Sequence, residues 1–164
     1  DDQEIDLRPQ TGSKQVLQLI NQLVHMPASP ERDPHQRMTE ICQHLRRIAR
    51  PGTGIWFISD WDGYDQRQQA LLHDLTRHCD LTAIRIYDPL EAELPPPGTY
   101  EVRQNGQRRR LDSRDVQQCQ RWQAEFQQRS QQLQQQLNAM RVPLISIATS
   151  DDPLQALRSG MGFN

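Results

Sequence analysis

The sequence predicts an α/β fold, an open and mostly parallel sheet flanked by helices, with a β-hairpin insertion. Three observations carry that expectation. The runs "IWFIS", "LTAIRIYD" and "VPLISIATS" are strand-length, and their near-continuous apolar character suits strands covered on both faces of a parallel sheet. The stretches that follow them repeat apolar residues at three- and four-residue steps, the helical period. Strand followed by helix, three times over, is the pattern of right-handed crossovers in an open α/β sheet.

Each element has a local reason. "QEIDLR" alternates apolar and polar residues and reads as a short strand closed by Pro9. A helix follows with a stripe of Val16, Ile20, Leu23 and Val24, capped by Thr11 or Ser13. "PASPERDP" carries three prolines and reads as a loop. Pro34 opens a second helix with the stripe Met38, Ile41, Cys42, Leu45 and Ile48, which "ARPGTG" ends. After the strand "IWFIS", the helix "QRQQALLHDLTRHC" leads to the strand "LTAIRIYD". The hairpin is read from "YEVRQNGQRRRL", where Asn-Gly sits between two short runs. From about Ser113 to Met140 a long helix places Val116, Cys119, Trp122, Phe126, Leu133, Leu137 and Met140 on one narrow seam. The Gln-rich tract between Gln117 and Gln136 forms the polar face of this helix. Last come the strand "VPLISIATS" and a helix with Asp151 or Asp152 at its cap and Pro153 in its first turn.

A length of 164 residues fits a single domain, 1–164. Formal net charge is -2 and the pI about 6.2, so bulk charge gives no reason to expect nucleic acid or an anionic membrane. The basic runs Arg46–Arg47 and Arg108–Arg110 are short enough to be solvated surface. The apolar runs are far shorter than the roughly 20 residues that span a bilayer. Cys42, Cys79 and Cys119 lie far apart, outside any metal-ligand spacing, and read as small core residues of a reducing compartment. The expectation is a cytoplasmic protein.

The informative stretch is "GIWFISDWDGYD", a strand that runs into three aspartates, Asp60, Asp62 and Asp65. Ligands of open α/β sheets gather at the carboxyl ends of strands. Three such ends here carry acid or hydroxyl groups: Ser59, Asp60 and Asp62; Asp88; and Thr149, Ser150, Asp151 and Asp152. Asp and Ser are also the usual caps of the helix after each strand, so capping alone accounts for most of this pattern. Oxygen ligands on one turn suit Mg²⁺ or another hard divalent ion. The "DWDG" order matches haloacid-dehalogenase-like phosphatases, with Asp60 as nucleophile, Asp62 as general acid and Mg²⁺ between them. On that alternative Thr149 or Ser150 holds the phosphate and Asp151 and Asp152 complete the metal shell. Against it, Lys14 is the sole lysine, so none follows the acidic turn, and the motif is not on the first strand. There is no "GxSxG" elbow and no phosphate-cradling glycine loop. His25, His35, His44, His73 and His78 fall on helices or their edges and read as surface residues.

The segments "ISDW", "RHCD", "LTAIRIYDPLE" and "ELPPPG", followed by a polar helix, a strand and "DPLQALR", resemble the bacterial family called domain of unknown function 58. The resemblance runs from about Gln3 to Leu157, and "DPLEAELP" is its most specific part. That family is related to the von Willebrand factor A domain. The resemblance implies a Rossmann-like sheet with a metal-ion-dependent adhesion site at its carboxyl edge. It also implies that the chain begins inside the domain, with the first strand, first helix and second strand missing. Of the three ligand loops of the wider fold, only the third maps, onto Asp60. "DxSxS" is absent, and the loop before the second helix offers Ser29 and no Thr. Asp60 is therefore expected as a vestigial metal ligand, with Asp62 and Asp65 as its acidic surroundings. No cofactor is expected in this chain, and Mg²⁺ or another divalent cation is reserved for a longer parent. The unpaired edge of strand 55–59 is expected to favour a homo-oligomer. The function implied is a protein-interaction and scaffolding module, not an enzyme, accessory to a MoxR-type AAA+ ATPase. The alternative is the Mg²⁺-dependent phosphatase built on Asp60 and Asp62.

Overall fold

The structure is a computed structural model and describes residues 12–25, 33–104 and 107–162. The chain divides into two compact units, Asp1–Arg32 and Asp33–Asn164. The expected strand "QEIDLR" and Ser29 lie outside the described residues.

In the first unit, helix α1 spans Ser13–Val24. Ser13 is its first residue rather than its cap, and Thr11 lies outside the described residues. The N-cap is Gly12, at φ 114°, a conformation that a residue with a Cβ resists. At the other end the His25 ring Nδ1 lies 2.7 Å from Asn21 O.

The second unit is an α/β layer structure. Helix α2 (Pro34–Ile48) begins with Asp33 at its cap, accepting from His35 N, and Pro34 in the first turn. Strand β1 (Gly54–Ser59), helix α3 (Gln66–Thr76), strand β2 (Asp80–Tyr87) and the one-turn helix α4 (Pro89–Ala92) follow. Next come the hairpin strands β3 (Thr99–Gln104) and β4 (Gln107–Asp112), helix α5 (Val116–Ala139), strand β5 (Leu144–Ala148) and helix α6 (Pro153–Gly160). Strands β1, β2 and β5 form a parallel sheet in the order β1-β2-β5. All three carboxyl ends therefore meet at one edge. The open, parallel α/β sheet is as the sequence predicts.

Among the described residues the hairpin strands pair only with each other, with Gln104 opposite Gln107, which leaves the two-residue connection that Asn-Gly implies. The Asn-Gly pair itself lies outside the described residues. Ser113 anchors the base of the hairpin: its hydroxyl donates to Pro96 O at 2.8 Å and accepts from Gly98 N at 2.9 Å.

One sheet face carries the main core. Ile55, Phe57, Leu81 and Ala83 pack with Met38 and Cys42 of α2, Leu72 and Leu75 of α3, and Leu133 and Leu137 of α5. On the other face Ile84, Ile145 and Ile147 pack under Ala156 and Leu157 of α6. That second cover does not extend over β1, which is, with β5, one of the two outer strands of this sheet among the described residues. Its residues alternate, with Ile55 and Phe57 buried while Trp56 and Ile58 are more than half exposed. The expectation of a strand covered on both faces is corrected here: Ile55, Trp56, Phe57 and Ile58 are all apolar, yet only one face of the strand is packed. The seam of α5 also differs from its reading. Leu133, Leu137 and Met140 are buried, but Val116 is exposed, because the helix outruns the sheet at its N-terminal end. There Trp122 instead donates its indole N–H to Leu90 O of α4 at 3.0 Å.

Candidate functional site

The acidic turn is built by a chain reversal at the end of β1. Trp61 adopts φ 62°, unfavourable for a residue with a Cβ by roughly 1–3 kcal/mol. Packing holds it there. The indole is buried, donates to Ile84 O at 3.1 Å, and lies 4.9 Å from the Phe57 ring and 5.2 Å from the Tyr64 ring. Gly63, at φ 74°, lets the turn lie directly against α2: a Cβ here would come within 2.3 Å of the Pro34 carbonyl carbon.

Each acid in this turn answers a nearby donor. Asp60 Oδ1 accepts from Asp62 N at 3.0 Å and from Ser59 Oγ at 3.2 Å, an Asx-type turn. Asp62 Oδ1 accepts from Gly63 N at 3.2 Å. Asp65 caps α3, accepting from Arg67 N at 2.7 Å, while Gln68 Oε1 accepts from Asp65 N at 2.8 Å, which makes a capping box. Gln68 is itself buried, and its amide N–H₂ donates to His35 O and Thr39 Oγ1 of α2.

The other two strand ends follow the same rule. Asp88 caps α4 through Leu90 N, with Glu91 Oε1 accepting from Asp88 N. Asp151 Oδ2 accepts from Ala148 N, and Asp152 caps α6 through Leu154 N and Gln155 N. The convergence of acids at the carboxyl edge is real, and every one of these aspartates serves a backbone N–H of its own turn or helix.

Ca²⁺ takes six to eight oxygen ligands, whereas octahedral Mg²⁺ keeps several waters and is often held by one or two carboxylates. Among the described residues no group of three or more His, Cys, Asp or Glu side chains stands close enough to hold a metal ion. Asp60 and Asp62 are thus not joined by a third such side chain, and the Oδ1 of each is engaged by a backbone N–H of the turn.

A cleft of about 450 Å³ opens beside the turn, bordered by Asp60, Asp62, Tyr64, Arg85, Glu91 and Arg129. The sequence reading missed its two arginines. Arg85, on the central strand β2 and level with Ser59, is only 7% exposed. Its Nη1 donates to Ser130 Oγ of α5 at 2.7 Å, and its guanidinium lies 4.8 Å from the Phe126 ring centre and 5.5 Å from that of Tyr87. Burial pushes its pKa below the ordinary arginine value. Glu91 opposes that effect, the like charge of Arg129 adds to it, and Tyr87 and Asp60 oppose it further. The signal was present in "LTAIRIYD": a cation inside an otherwise apolar strand is either exposed at an edge or deliberately buried. Of the three cysteines, Cys42 and Cys79 are buried and Cys119 is half-buried, all as free thiols. No helix among the described residues is long and apolar enough to cross a membrane.

The model of the family described as "Protein of unknown function DUF58" matches residues 1–135, and the chain belongs to that family. Neither the curated proteins nor the solved structures contain a match to the chain.

Proposed function

We propose that this family member is a protein-interaction and scaffolding module, accessory to a MoxR-type AAA+ ATPase, whose partner meets the carboxyl edge of the three-stranded sheet. The observation that carries the reading is the state of the acids there. Asp60, Asp62, Asp65, Asp88, Asp151 and Asp152 all accept hydrogen bonds from their own turns or helices, as structural groups do. The cleft beside them is lined largely by charged and amide side chains, whereas small-molecule pockets are mostly apolar. Such a surface suits the polar side chains of another protein. The ATPase as partner rests on the family resemblance alone, and Asp60 enters as a vestige of a metal-site edge. Calorimetric titration with a MoxR-type ATPase from the same source tests it. Saturable binding that Arg129→Glu weakens supports the reading, and flat heats with the folded protein overturn it.

One observation favours a second reading, a phosphatase-like hydrolase. Arg85 and Arg129 supply the basic groups beside Asp60 that no lysine provides. Hydrolysis of p-nitrophenyl phosphate that Asp60→Asn abolishes would establish it; an unchanged background rate would remove it.

A further inference from the structure

Among the residues whose burial is described, Arg85 is the one charged side chain that is buried, at 7% exposure. A guanidinium carries five N–H donors, and among the described residues only one hydrogen bond, to Ser130, uses them. Its Nε is sealed from solvent without a partner, and no ion pair among the described residues includes Arg85. The aromatic rings of Phe126 and Tyr87 attract its face but leave the donor edge unanswered. Glu91 and Asp60 act on this charge from a distance, but neither forms an ion pair with it, and a buried charge without a hydrogen-bonded anion is a liability because desolvation costs several kcal/mol. Arg129, one residue before Ser130 on α5, borders the same cleft and adds a second guanidinium. Tyr64 contributes a second orphan: its buried hydroxyl also lacks a partner.

We propose that Arg85 and Arg129 form a receptor for one carboxylate, the side chain of a glutamate or aspartate on a partner protein, bound without a metal ion. Because the Arg85 Nε is sealed, an incoming carboxylate meets the terminal N–H groups of the two guanidiniums that border the cleft, each a charge-assisted N–H···O donor. Asp60, Asp62 and Glu91 on the same rim decide the class of anion. Three carboxylates and two guanidiniums leave this rim with a net charge of −1, so on net a dianionic phosphate meets about twice the repulsion that a singly charged carboxylate meets, and planar two-point pairing with a guanidinium is what the carboxylate offers against it. This inference rests on the proposed interaction role and names the chemistry of the contact.

The test uses an acetylated, amidated peptide with one glutamate among glycines, its glutamine counterpart, and inorganic phosphate, all with a chelator present. The readout is the side-chain Nε–H resonance of Arg85 in the intact chain. The glutamate peptide shifts it saturably, and the glutamine peptide binds at least about tenfold more weakly. Arg129→Gln weakens the glutamate peptide about fivefold, whereas Arg158→Gln on α6 leaves it unchanged. Arg85→Gln abolishes saturable binding, read on the backbone amides around Ser59. The Arg129 variant keeps the inference falsifiable if the Arg85 variant does not fold. An unmoved Arg85 resonance overturns the inference, as does phosphate binding tighter than the glutamate peptide. Glutamate binding at Arg85 by a chain that ignores the ATPase supports this site while overturning the named partner.

Discussion

Replacing Arg85 by methionine removes a buried cation and keeps a long, flexible apolar stem in its place. The losses can be read from the structure. One hydrogen bond from a charged donor to Ser130 disappears, about 1.5–3 kcal/mol. The attraction to the Phe126 and Tyr87 rings goes with it, about 0.5–2 kcal/mol. Ser130 itself stays satisfied, because its hydroxyl donates to Phe126 O at 2.7 Å. On the other side, the sealed Nε no longer goes unpaired, which returns about 1–3 kcal/mol. The desolvated charge returns several more. Replacing a buried, incompletely paired ion by an apolar side chain of similar volume is typically neutral or stabilising by about 1–4 kcal/mol, so Arg85→Met leaves Tm unchanged or raises it by several degrees. Scanning calorimetry at pH 7 without ligand measures it. A fall in Tm of more than a few degrees would refute the reasoning, because it would mean that the guanidinium is compensated within the fold and waits for no anion.

Three further outcomes follow from the same geometry. Gly63→Ala forces a Cβ against the Pro34 carbonyl at a backbone angle that disfavours it, and lowers stability by more than about 2 kcal/mol in urea titration. Amide exchange in the first turn of α2 rises with it. Asp65→Ala removes the capping box of α3 and costs about 1 kcal/mol, whereas Asp65→Asn, still a good cap, costs less. Burial pushes the Cys42 thiol from 9.0 up to about 11. A raised acid pKa means that the folded state holds its proton longer, so the stability it contributes is intact below pH 9. That contribution falls as the unfolded chain ionises between pH 9 and about 11, by about 2–3 kcal/mol in total. Denaturant melts of the wild type and Cys42→Ala across that range isolate this loss from the one Tyr64 adds from about pH 10 upward, where the unfolded phenol ionises while burial, and then the charge of Cys42, hold the folded one protonated.

The fold was legible because local and global signals agree over most of the chain. "LTAIRIYD" and "VPLISIATS" became β2 and β5, the Asn-Gly run became a two-residue hairpin, and Pro34 and Pro153 opened helices behind Asp33 and Asp152. The one-turn helix α4 was not read, since its four residues carry no period and only the Asp88–Glu91 capping pair marks it. Exposure of Trp56 and Ile58 was equally hidden: an apolar run reports what a strand can bury, and the arrangement of α6 decides what it does bury. At the site, the sequence placed the aspartates correctly at one edge and identified capping as their ordinary role. It could not find the cleft. Arg85 and Arg129 stand 44 positions apart and meet only because β2 and α5 pack together, and which face of β2 Arg85 takes is set by the register with β1.

On the function proposed above, the aspartates of the acidic turn act as structural acceptors rather than as ligands or reacting groups. Calorimetric titration of Mg²⁺ and Mn²⁺ into the chain, alongside Asp60→Asn, tests it most directly. That substitution keeps a side-chain oxygen to accept from Asp62 N, so the variant retains the turn and isolates the charge. The account predicts no saturable heat up to millimolar cation and identical traces for both proteins. Saturable binding in the wild type that Asp60→Asn abolishes would contradict it and return the acidic turn to the role of a working site.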